Sequence, residues 1–143
     1  MPHRRLEGLT QADVAFQAEG SSLEEVFRSA WEATLEVMLA DAARLRPLER
    51  KCIELAHPQA DLLLFDFLQQ LLFYKDAEGL LLRLESLSIE QGPDGCRLKA
   101  EAAGEEADPA RHELGGDVKA VTLHRFELRR AESGWLATVI LDV

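Results

Sequence analysis

In Leu87-Ser88-Ile89-Glu90-Gln91-Gly92-Pro93-Asp94-Gly95-Cys96-Arg97-Leu98-Lys99-Ala100, apolar and polar residues alternate on both sides of a Gly-Pro-Asp-Gly turn signal. A period of two flanking such a turn predicts a β-hairpin. A second hairpin is predicted downstream, Val118 to Leu128 and Trp135 to Leu141, joined across Glu132, Ser133 and Gly134. Between them, Gly104 to Gly116 is polar and aperiodic and reads as a loop of about a dozen residues, a length that often carries function in a small domain. Upstream the period changes. Ser22 with Glu25 has the spacing of a capping box, and Leu23, Val26, Phe27, Ala30, Trp31, Thr34, Val37 and Met38 then recur at helical steps. A second helix is expected with Pro58 in its first turn, continuing through Leu64, Phe65, Leu68, Leu71 and Leu72 to about Tyr74 and leaving by Lys75, Asp76 and Gly79. Two further strands are predicted, Ala12 to Ala18 and Leu48 to Ala56. The order strand, helix, strand, helix and four strands defines an α+β class: a mostly antiparallel sheet with two helices packed on one face, as a single domain over residues 1–143.

The chain carries 26 Asp+Glu against 16 Lys+Arg, a formal net charge of −10 at pH 7. Holding naked nucleic acid requires clustered cations that displace phosphate counterions, so no direct nucleic acid binding is expected and any role on RNA is indirect. Cys52 and Cys96 stand apart, with no CxxC or His-rich spacing. This excludes a zinc finger and predicts two small reduced core residues in a cytoplasmic protein. His3, Arg4 and Arg5 are not followed by the apolar core of a signal peptide, and no apolar run approaches the ~20 residues of a membrane span, so no membrane partner is expected. No GxGxxG, Walker A, HExxH or GxSxG pattern occurs, which argues against an independent nucleotide-binding domain. Glu24, Glu25, Glu32 and Glu36 read as the solvated face of the first helix.

Several segments, in order, resemble the archease family: Ala12-Asp13-Val14, Asp66-Phe67-Leu68-Gln69-Gln70-Leu71-Leu72, Gly104-Glu105, Val118-Lys119-Ala120-Val121-Thr122 with His124, and Ile140-Leu141-Asp142-Val143. Archeases usually carry His-Thr-Ala-Asp where this chain has Thr10-Gln11-Ala12-Asp13, a Tyr at the position of Leu123, and a Trp at that of Phe67. The resemblance implies a small, chaperone-like accessory protein of the tRNA-splicing RNA ligase that promotes guanylylation of the ligase and its repeated turnover, performing no ligation itself. It also implies a divalent metal, calcium in the family, on residues that here are Asp13, Asp142 and Val143. A hard cation of that class takes about six to eight oxygen ligands. Asp13, Asp142 and the α-carboxylate of Val143 offer anionic oxygens, leaving carbonyls and water to complete the shell.

Lys119 reads either as a solvent-facing residue of a one-sided sheet or as a cation that meets a carboxylate or a nucleotide phosphate. A simple hairpin register across Ser133 sets Asp142 opposite about Leu123, not Lys119. His112 and His124 are weaker candidates for contacting a partner or nucleotide or for carrying a proton near neutral pH. The competing function is a small metal-dependent hydrolase built from Asp13, Asp142 and His112 around one cation, against which stands the lack of a clear general base.

Overall fold

The computed structural model describes residues 3–6 and 13–143. Their elements are β1 (His3–Leu6), β2 (Asp13–Gly20), α1 (Leu23–Met38), a 3-10 turn (Ala42–Arg44), β3 (Glu49–His57), α2 (Ala60–Glu78), β4 (Leu80–Gly92), β5 (Gly95–Glu106), β6 (Ala120–Ala131) and β7 (Gly134–Asp142). All strand pairs are antiparallel, so the α+β class and both hairpins stand. The strands divide between two sheets, ordered β1-β2-β7-β6 and β3-β5-β4. Each helix packs against both: α1 against β2, β7 and β4, and α2 against β6 and β3 to β5. Alternation within a strand tells which face is apolar but not which strand lies beside it. Strand β1 has no counterpart in the sequence reading, and Ala12, where the first strand was expected to begin, lies outside the described residues.

The start of α1 follows its local chemistry with a shift of one residue. Ser22 Oγ accepts from the Glu25 amide at 3.2 Å, while the Glu25 carboxylate accepts from the amide and hydroxyl of Ser21 rather than from Ser22. Glu24 is not simply solvated: its Oε2 accepts from the Ile89 amide at 3.2 Å, tying α1 to β4. Trp31 is fully buried, packs on Phe67 at 4.8 Å between ring centroids, and donates from Nε1 to the Leu82 carbonyl at 3.0 Å. The indole thereby joins both helices to the smaller sheet, with its polar atom satisfied.

Helix α2 begins at Ala60, so Pro58 precedes it instead of occupying its first turn, and it continues past Tyr74 to Glu78. Gly79 ends it at φ 68, a left-handed position that glycine adopts without the Cβ penalty. Strand β5 extends to Glu106, into the segment expected to be loop. A Cβ at Gly104 would lie 1.8 Å from the Leu81 carbonyl oxygen, so the close approach of β4 to β5 requires glycine there. Cys96 is buried as expected, whereas Cys52 sits on the exposed side of β3. Among the described residues no helix is long and apolar enough to cross a membrane.

Candidate functional site

Strands β2 and β7 pair along their whole length, and their last matched residues are Asp13 and Asp142. Residues directly opposite in an antiparallel ladder project to the same face, with Cβ atoms about 5 Å apart. Two carboxylates distant in sequence thus share one edge of the four-stranded sheet. Val143 follows immediately, and all three residues are half-buried. The side-chain donors in this group are carboxylate oxygens, with no sulfur or imidazole among them. Among the described residues no three His, Cys, Asp or Glu gather closely enough to hold a metal.

The simple hairpin register holds only near the turn. Ala131 faces Gly134 and Glu127 faces Thr138, but Thr122 then faces Ile140 and Ala120 faces Asp142. The five steps from Thr122 to Glu127 are matched by two on β7, so the intervening residues form an irregular bulge in which Arg125 adopts φ 53. This corrects the expected pairing of Asp142 with Leu123. The bulge draws Lys119 to the site, where its amide donates to the Asp142 carbonyl at 2.7 Å while its side chain is exposed. His124 and Leu123 lie exposed within the bulge.

The segment between β5 and β6 is a strap pinned at successive points. Ala40 donates to the Glu113 carbonyl at 2.9 Å, and Gly115 and Gly116 donate to Met38 and Val37 at 2.9 and 3.0 Å, satisfying carbonyls at the end of α1. Lys75 Nζ, largely buried, donates to Asp117 Oδ1 at 2.5 Å and to the Val118 carbonyl at 2.6 Å. Burial pulls its pKa down, but the bonds to Asp117 and Asp76 outweigh this and hold the ammonium above its ordinary value.

At the strap's start, the Glu105 carboxylate, 4% exposed, accepts from the Arg46 amide at 2.7 Å, from Arg46 Nη2 at 2.9 Å and from Arg111 Nη1 at 2.5 Å. The Arg46 side chain and then its amide, followed against burial by Arg111 and His112, hold the Glu105 carboxyl far below the usual range. His112 Nδ1 accepts from the Asp108 amide at 2.9 Å, which leaves the proton of the neutral ring on Nε2, 3.4 Å from Glu105 Oε2. The side chain is only 2% exposed. His112 is buried in the strap rather than presented at the surface, and among the described residues no metal-holding group unites it with Asp13 and Asp142. Sequence reading missed Arg46, which lies 59 positions from Glu105, and the isolated acid of Gly104-Glu105 was its only trace.

The Archease protein family (MTH1598/TM1083) matches residues 7–143. Protein archease of Pyrococcus abyssi is 34% identical over 133 residues, covering 92% of this chain and 93% of the relative. Protein archease of Methanothermobacter thermautotrophicus is 38% identical over 132 residues, again with 92% and 93% covered. The solution structure of Methanobacterium thermoautotrophicum protein 1598 superposes with a TM-score of 0.83 at 34% identity, over 99% of this chain and 98% of that one. The crystal structure of an archease, possible chaperone, from Thermotoga maritima shares the fold over 100% of both chains, with a TM-score of 0.66 at 21% identity.

Proposed function

The chain belongs to the archease family, and from that membership we propose that it is a non-enzymatic accessory protein that activates a tRNA-splicing RNA ligase in the cytoplasm. It promotes guanylylation of the ligase and multiple turnover, and it carries a divalent metal of the calcium class on Asp13, Asp142 and Val143. The observation that carries the metal is the register of β2 on β7, which sets Asp13 directly across from Asp142. Like charges at facing positions repel. A cation held between the two facing carboxylates would offset that repulsion, with Val143 adding backbone oxygen and water or carbonyls completing the shell. Lys119, tied through its amide to Asp142, presents an exposed ammonium beside that centre and is the candidate contact for a partner group or nucleotide phosphate. The net charge of −10 suits a partner whose RNA-binding surface is basic.

The reading as an independent metal hydrolase is weakened by His112, whose ring is enclosed between Asp108 and Glu105. The deciding experiment is guanylylation and multiple-turnover ligation by the cognate ligase with and without this protein. Acceleration of both is expected, and Asp13→Ala and Asp142→Ala should remove it together with calcium binding by calorimetry. Unchanged ligase kinetics would refute the accessory role.

A further inference from the structure

Between the C-terminal end of α1 and the strap lies a groove of about 460 Å³ whose lining includes Val14, Val37, Leu114 and Val143 as apolar surface and Glu36 and Glu113 as carboxylates. We propose that this groove docks an arginine side chain from a basic surface of the partner protein. The existence of such a partner rests on the accessory reading above; the choice of arginine rests on the groove.

Its walls are preformed. The three backbone hydrogen bonds from Ala40, Gly115 and Gly116 hold the strap against α1, and a Cβ at Gly115 would lie 2.4 Å from the Val37 carbonyl oxygen, so the approach depends on glycine. Leu114 remains 41% exposed although its backbone bridges to Leu39, which leaves a large apolar side chain at the surface. The last turn of α1 contains no basic residue, so the negative end of the helix dipole meets no cation of its own helix. Glu36, 53% exposed on its side chain, has His3 Nε2 at 3.1 Å from its Oε2. Glu113 is exposed.

An apolar surface edged by carboxylates suits a side chain with a long aliphatic stem and a cationic head. Arginine fits better than lysine, because its guanidinium is weakly hydrated, lies flat on apolar surface and offers several N–H donors to carboxylates. The molecule's net charge of −10 favours approach of such a basic surface.

The test titrates isotope-labelled protein with N-acetyl-arginine amide, N-acetyl-lysine amide and N-acetyl-norleucine amide, following backbone amides by NMR. The arginine probe is expected to shift the Ala40, Gly115 and Gly116 resonances and to saturate in the millimolar range. Glu113→Gln should weaken that binding about fivefold, and Glu36→Gln with Glu113→Gln should abolish it, while circular dichroism shows the fold retained. Equal responses to lysine or norleucine, or no shifts at these amides, overturn the proposal. No ligase enters this titration, so its outcome is independent of the ligase-activation reading. In a second arm, Glu36→Lys with Glu113→Lys should raise the concentration needed for half-maximal ligase activation by about tenfold, as reversal of interfacial charge does, with the fold retained by circular dichroism. Activation at parental concentration overturns the docking role.

Discussion

At the end of β5 the Glu105 carboxylate is enclosed by Arg46 and Arg111, whereas at the meeting of β2 and β7 the residue opposite Asp13 is a second carboxylate, Asp142. The first arrangement matches charge with opposite charge and several donors, and it anchors a strap that reaches the end of α1. The second sets like charges in register, an arrangement that is unfavourable as a pair. One acid is surrounded by cations, and the other faces a second acid across the ladder. The exposures agree: Glu105 is 4% exposed, while Asp13 and Asp142 are half-buried.

The largest effect should come from breaking the frame that both centres share. Trp31→Ala removes the indole that joins α1 to Phe67 and Leu82, and should cost about 3–5 kcal/mol in urea unfolding. A loss below about 1 kcal/mol would show that the frame repacks without it. Glu105→Gln should produce the next largest fall, read as the thermal midpoint, because two guanidinium partners lose their anion. Its calcium affinity should match the parent, and a joint loss of stability and affinity would collapse the distinction between the centres.

Asp142→Asn should show the opposite pattern. Calcium affinity falls about tenfold or more because the count of charged ligands drops. Metal-free stability stays level or rises by roughly 0.2–1 kcal/mol as a facing like charge is removed. A clear destabilisation without metal would place Asp142 with Glu105 as an architectural acid.

Acid titration sharpens the contrast. The folded Glu105 carboxyl is held below its ordinary value of 4.5, so its stabilisation is complete above that pH and is lost as the pH falls through the depressed folded value. The stability gap between parent and Glu105→Gln, from denaturant midpoints, should therefore be constant near neutrality and narrow below about pH 4.5. The smallest effect is expected at Lys75, whose folded pKa is raised above 10.5, so its contribution is present below that pH and fades as the pH rises through the folded value. Lys75→Met should cost about 1 kcal/mol or less at pH 7, with its partners Asp76 and Asp117 exposed to solvent. A larger loss would make the Lys75 end of the strap as architectural as the Glu105 end.

Much of the fold was legible because its signals are local. The Ser22 cap, the apolar stripe from Leu23 to Met38, the exit at Gly79 and the turn at Gly92 to Gly95 each depend on residues within a few positions of one another. Asp13 and Asp142 were legible as candidates only through the family resemblance, since nothing in their spacing links the two ends of the chain. The burial of His112 was not legible, because a histidine in a polar segment looks solvated until Glu105 and Asp108 are folded around it.

Periodicity and capping chemistry were sufficient for the α+β class, both helices and both hairpins, because the backbone repeats of 3.6 and 2 are imposed residue by residue. The partition of strands into two sheets, the bulge that moves Asp142 from Leu123 to Ala120, and the burial of Glu105 between arginines were settled only in three dimensions. Each is a contact between distant segments, selected by how apolar faces pack and charges are matched across the whole core, and no local pattern encodes that selection.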